Sequence, residues 1–153
     1  MSHCFTQLHL QIIFVVKYRG ALISDKFKSD LYEYMAANIK RRSHVCIIIN
    51  GMPDHVHLFI RMHPDESLAS LVQYIKGSSS RWINHYYPSQ RPFRWQEGYA
   101  AFSYSKSQIP RVFQYIKNQE KHHQKKTFQK EYQDMINKYD NPPDATNPLH
   151  PFL

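Results

Sequence analysis

From Gln7 to Lys17 every second residue is apolar, so that Leu8, Leu10, Ile12, Phe14 and Val16 share one face and predict a strand with one buried side. The period then changes. Phe27, Leu31, Met35 and Asn38 recur at three-to-four spacing behind Ser24, a good capping residue, and predict a helix from Asp25 to about Arg42. Val45 to Asn50 is a nearly continuous β-branched run, the mark of a central strand. Gly51-Met52-Pro53-Asp54 reads as a turn, and His55 to Met62 as a strand hairpin-paired with the one before it. Leu68, Leu71, Val72, Ile75 and Trp82 carry a second helix that starts after Ser67, and Gly98 to Ser105 reads as a short strand. Ser107 is placed to cap a last helix from Gln108, where Pro110 is tolerable because first-turn amides lack partners anyway.

Strand, helix, strand, strand, helix, strand, helix is the resulting order. Two strand-helix-strand units joined this way predict an α+β fold: a ferredoxin-like antiparallel sheet with helices on one face, plus an extra C-terminal helix. There is no internal repeat. Residues 1–140 read as a single domain, and 141–153, with Pro142, Pro143, Pro148 and Pro151, as a coil-like tail.

Composition narrows the partners. With 153 residues, 42% of them hydrophobic, the chain can build a core without disulfide staples. No run approaches the ~20 apolar residues of a membrane span, and Met1-Ser2-His3-Cys4 lacks a secretory layout. Cys4 and Cys46 form no close pair, which fits reduced thiols and a cytoplasmic setting. A net charge of +8 and a pI near 9.5 favour a polyanionic partner, since neutralised phosphates release condensed counterions. Eleven tyrosines add faces on which unpaired bases can stack. No Gly-rich phosphate loop is present, so no nucleotide cofactor is expected.

The segment Asp54-His55-Val56-His57-Leu58-Phe59-Ile60 is the most informative. Period-two geometry puts Val56, Leu58 and Ile60 on one face and His55, His57 and Phe59 on the other. If the apolar set faces the helices, both imidazoles point from the open face, about 6 to 7 Å apart at the backbone. Two neutral imidazoles so placed can converge on one cation, although polar residues also belong on a solvated sheet face. A histidine-triad hydrolase would need a third His where Phe59 stands, and the paired His-x-Thr or His-x-Ser of two-histidine phosphoesterases is absent. On the last helix, Ile109, Val112, Phe113 and Ile116 form an apolar stripe. At ~100° per residue Tyr115 and Gln119 would lie about 40° apart on its flank. A glutamine carbonyl is a neutral metal ligand and a tyrosine phenol a nucleophile, while a solvated helix flank would also carry such residues.

Four motifs follow in order: Pro53-Asp54-His55-Val56-His57-Leu58, Gln73-Tyr74-Ile75-Lys76-Gly77-Ser78-Ser79-Ser80-Arg81-Trp82, Trp95-Gln96-Glu97-Gly98-Tyr99 and Tyr115-Ile116-Lys117-Asn118-Gln119. Together they closely resemble the single-tyrosine transposases of small bacterial insertion sequences, members of the His-hydrophobic-His endonuclease superfamily. The resemblance spans residues 5 to 132. It implies His55, His57 and Gln119 as metal ligands, Tyr115 as nucleophile, and Mg2+ or Mn2+ as the ion. It also implies a substrate of single-stranded DNA with a hairpin at element ends, cut and rejoined through a 5′-phosphotyrosine. A homodimer is implied as well, in which the His pair of one subunit can meet the Tyr helix of the other. Lys17, Arg19, Lys76 and Arg81 are the candidates for phosphate contacts, and Gly77 to Ser80 for close approach of a backbone or partner helix. Two other readings stay open: a non-catalytic single-strand binder on the same fold, and a metal phosphodiesterase that uses water and dispenses with Tyr115. A covalent DNA adduct separates them.

Overall fold

The computed structural model describes residues 3–18, 20–123 and 127–138. Four strands, β1 (His9–Val15), β2 (Val45–Met52), β3 (His55–Arg61) and β4 (Ala100–Tyr104), form one antiparallel sheet in the order β2-β3-β1-β4. With α1 (Lys28–Arg41) and α2 (Leu68–Tyr86) as the crossovers, this is the ferredoxin-like α+β arrangement. Ile12, Phe14, Leu58 and Ile60 from the sheet meet Leu31, Met35, Ile39, Leu71 and Ile75 of α1 and α2 in the main core. From Leu10 to Val16 the alternation therefore faces the helices, as its pattern predicts, while Leu8 lies ahead of β1 and is exposed.

Local chemistry moves several boundaries. Ser24 accepts from the Lys26 amide at 3.2 Å and so shapes a turn at 25–27, and α1 begins at Lys28. It ends where Ser43 takes a positive φ of 71°, reversing the chain into β2. Ser67 caps α2 by accepting from the Ser70 amide at 3.1 Å. The β2 strand lies at the sheet edge, not at its centre. Its unbroken apolar run arises because helices cover both of its faces, and a register shift between Cys46 and Ile48 changes which face each later residue meets. Cys46 and Ile49 thus turn to the main core, while Ile48 faces the opposite side and Asn50 pairs with His57. Pairing continues through Gly51 and Met52, leaving Pro53-Asp54 as the turn. A Cβ on Gly51 would collide with the His55 carbonyl, so the hairpin closes only over glycine here.

The second sheet face is not open. After β4 come a 3-10 turn (Lys106–Gln108), α3 (Ile109–Lys117), α4 (Gln119–His123) and α5 (Phe128–Lys138). Ser105, rather than Ser107, opens this segment: its hydroxyl and the Gln108 side chain form a reciprocal cap. Val112 and Ile116 of α3 pack on Phe59, and Tyr132 and Ile136 of α5 on Ile13 and Ala100. The expected single extra helix is thus three short ones. Tyr115 and Gln119 do not share a helix, since α3 stops at Lys117 and Gln119 begins α4. Asn50 of β2 explains the stop, because its amide donates to the Ile116 and Lys117 carbonyls at 2.9 and 3.2 Å and satisfies groups a helix end leaves orphaned.

Candidate functional site

Covering the second face buries the residues that alternation places there. His55 and His57 are each 0% exposed, and Gln119 is equally enclosed. Each imidazole is oriented by an acceptor on its Nδ1. His55 Nδ1 lies 2.7 Å from Asp54 Oδ1, and His57 Nδ1 lies 2.7 Å from Gln11 Oε1, whose amide nitrogen in turn donates to the Tyr104 hydroxyl at 2.8 Å. A carboxylate or amide oxygen only accepts, so each Nδ1 carries a proton, and in a neutral ring so held it is Nε2 that presents the lone pair. Burial, the largest effect, lowers the His57 pKa and keeps that ring neutral, the form a metal ligand requires.

Oxygen acceptors face those lone pairs. Gln119 Oε1 is 3.2 Å from His55 Nε2, and Glu131 Oε1 of α5 is 2.9 Å from His57 Nε2 and 4.0 Å from His55 Nε2. The second Glu131 oxygen lies 2.8 Å from His123 Nε2. Close as they are, His57 Nε2, Gln119 Nε2 and both Glu131 oxygens have no aligned hydrogen bond. Burial by itself would raise the Glu131 pKa, but the neighbouring His57, His55 and His123 rings outweigh it and hold the carboxyl below its ordinary value. Buried acceptors turned toward acceptors repel one another unless a cation lies among them. This donor set, two imidazole nitrogens with carboxyl and amide oxygens, fits a divalent ion, and the ligand atoms of His55, His57 and Glu131 lie within 4.8 Å of one another.

Tyr115 is half-buried at the rim, its ring centroid 6.0 Å from that of His57. Burial first, then the charge of the nearby Glu131 carboxylate, raise the phenol pKa. A pocket lined by Gln11, Tyr104, Gln108, Arg111, Tyr115 and Met135 opens beside it, so the phenol stands between the dry histidines and an accessible space. All four residues that the motifs single out thus meet in one place within one chain.

The proposed phosphate contacts are more scattered. Lys17 is exposed at the end of β1, its ammonium 5.6 Å from the Tyr18 ring, and Arg81 is exposed on α2 with its guanidinium close to Gly77. Arg19 lies outside the described residues. Lys76 is spent differently, donating to the Gln96 and Gly98 carbonyls at 2.7 and 2.5 Å beneath the loop before β4. Burial lowers its pKa to about 8. The small residues beside it also serve the interior, for Ser79 accepts from the Trp95 indole at 2.9 Å. Pattern reading passed over Arg91, which covers the Tyr18 ring at 4.0 Å, and over Glu131. For Glu131 a signal existed: it interrupts the apolar stripe of Phe128, Tyr132, Met135 and Ile136 with a charge.

A histidine pair on an interior strand of a ferredoxin-like sheet, faced by buried oxygen ligands and a phenol, is a candidate metal site. The chain belongs to the family described as "Transposase IS200 like", which matches residues 4–119. It is similar to the ISDra2 transposase TnpA of Deinococcus radiodurans, with 25% identity over 118 residues, 74% of this chain and 84% of the relative. Two solved structures share the fold. One is a candidate transposase from Deinococcus radiodurans R1 (TM-score 0.63, 23% identity, 78% of this chain and 95% of that one). The other is a REP-associated tyrosine transposase bound to a REP hairpin (TM-score 0.57, 12% identity, 80% of this chain and 73% of that one). Among the described residues no helix is long and apolar enough to cross a membrane.

Proposed function

We propose that this transposase-family protein cuts and rejoins single-stranded DNA at the ends of a mobile element in the cytoplasm, with Tyr115 as nucleophile and a divalent ion, Mg2+ or Mn2+, held by His55, His57 and Gln119. The observation that carries the reading is the convergence of buried ligand atoms of His55, His57, Gln119 and Glu131 beside the half-buried Tyr115 phenol. When bound, such an ion polarises the scissile phosphate and offsets the charge that builds on its oxygens. The chain's own groups do the rest. Asp54 and Gln11 hold the two imidazoles in register, and the enclosed site keeps competing water from the phosphorus.

The Tyr115 oxygen attacks phosphorus, forming a 5′-phosphotyrosine; the bond to the 3′ oxygen breaks, that oxygen leaves as a 3′-OH, and the phenol gives up its proton. In the second step the 3′-OH of another end attacks the phosphotyrosine and Tyr115 regains its proton. Each step exchanges one phosphodiester for another, so no nucleotide energy source is required. Lys17, Arg19 and Arg81, joined by Arg91 on Tyr18, are the proposed strand contacts, with Lys76 supporting them from beneath. A hairpin at the element end is the proposed recognition form, in keeping with the hairpin bound to the REP-associated relative. A homodimer is part of the reading.

The test is a single-stranded oligonucleotide carrying an element end, incubated with the full chain and Mn2+. Wild type is expected to form a covalent DNA adduct at Tyr115, which Tyr115→Phe and excess chelator abolish. Cleavage without an adduct would replace this mechanism by a water-using phosphodiesterase, and binding without cleavage by a non-catalytic binder.

A further inference from the structure

We propose that Glu131 of α5 is itself a metal ligand, so that the ion is held by four protein groups and fastens α5 to the sheet. The inference rests on the metal reading above and extends it to a residue outside the matched family segment, which ends at residue 119.

Glu131 is 3% exposed and sits in the apolar stripe by which α5 docks. A carboxylate so placed is costly unless a positive charge compensates it. The nearest nitrogens are not placed to satisfy it: His57 Nε2 lies 2.9 Å and His55 Nε2 4.0 Å from Glu131 Oε1, and neither Glu131 oxygen has an aligned hydrogen bond. A cation among His55 Nε2, His57 Nε2, Gln119 Oε1 and Glu131 Oε1 turns these mutual repulsions into four attractions. Phe128, one turn before Glu131, packs at a tilt against the His55 ring with 4.4 Å between centroids, and Tyr132 and Ile136 anchor the following turn, so the carboxylate is delivered by a packed helix. The second Glu131 oxygen lies 2.8 Å from His123 Nε2, and Oε1 is the one turned to the histidine pair. Two nitrogens and two oxygens make a borderline donor set suited to Mn2+, and an ion with about six positions keeps roughly two for substrate oxygens.

Mn2+ alone is the probe, titrated into the DNA-free full chain and followed by the paramagnetic resonance signal of free Mn2+, with hydrogen exchange of the α5 amides read in parallel. Glu131→Ala is expected to weaken Mn2+ binding at least about tenfold, and Mn2+ is expected to slow exchange in α5 of wild type but not of the variant. A smaller loss of affinity overturns the assignment. If Glu131→Ala fails to fold, as its circular dichroism would show, the isosteric Glu131→Gln decides: Mn2+ that still protects α5 to the wild-type degree overturns the proposal, and reduced protection supports it. His55→Ala separates the two levels. If it loses Mn2+ while Glu131→Ala keeps it, only the Glu131 ligand fails; if it also binds like wild type, the metal reading fails.

Discussion

Along β3, neighbouring residues serve opposite ends. Val56, Leu58 and Ile60 enter a core that is apolar throughout, against α1 and α2. His55 and His57, from the same seven-residue strand, enter a layer where imidazole, amide and carboxylate groups are buried just as deeply, beside the apolar cluster that Phe59 forms with Val112 and Ile116. The strand is buried on both faces except at Arg61, so the difference is chemistry and not depth. On the first face burial of apolar area stabilises the fold. On the second, buried polar atoms are held where they lack full hydrogen bonding, which lowers stability and readies the layer for an ion. One face holds the protein together, and the other gives it something to do.

That contrast can be broken most sharply by paired substitutions in adjacent positions. His57→Ala is expected to reduce strand cleavage about a thousandfold, the loss of several kcal/mol of charge stabilisation. Single-strand binding, measured by fluorescence anisotropy, should persist. Leu58→Ala is expected to do the reverse, lowering stability by about 2–5 kcal/mol in a denaturant melt while the molecules still folded at low temperature continue to cleave. If His57→Ala destabilises as much as Leu58→Ala, the second face is a structural core after all.

Gly51→Ala strikes the joint between the faces. Its Cβ would push on the His55 carbonyl and the Val56 backbone, so a loss of about 1–3 kcal/mol is expected together with a reduced cleavage rate, because the displaced strand carries a histidine. A variant that melts lower yet cleaves at the wild-type rate would uncouple the hairpin from the site. A mixing experiment asks whether one chain completes the second face. Tyr115 lies beside its own His57, so combining Tyr115→Phe with His57→Ala protein is expected to restore no cleavage. Recovery toward half the activity per mixed dimer would mean that the helix is exchanged between subunits.

The smallest effect belongs to a charge cluster at the edge of the α1–α2 side. Glu66 pairs with Arg42 and lies 2.7 Å from His44, and hydrogen bonding to Arg42, chiefly, lowers its pKa to about 2. A carboxyl held below its unfolded value near ~4.5 stabilises fully above that pH and loses its contribution as pH falls toward 2. Wild type should therefore melt above Glu66→Gln at pH 6, and the two curves should draw together between pH 4.5 and 2. A gap that persists at pH 2 would assign the effect to packing rather than charge.

Much was legible in the order of residues. Strict alternation placed Leu10 to Val16 against the helices and set His55 and His57 side by side, because the period of a strand is geometric and needs no partner to define it. The first and last of the four motifs supply His55, His57, Tyr115 and Gln119, which lie near one another in the structure. Tertiary structure decided whether the second face was wet or dry. A polar side chain on a strand reads the same whether it meets water or a covering helix, and the covering helices come from distant sequence. For the same reason Tyr115 and Gln119 fell on separate helices: Asn50, more than sixty residues earlier, ends α3 by taking its last carbonyls. Lys76 changed meaning in the same way, a surface charge by pattern and a loop anchor by contact. Glu131 became intelligible only once α5 was laid over the histidines, since a lone carboxylate in an apolar stripe states a cost, and only its neighbours in space state what offsets it.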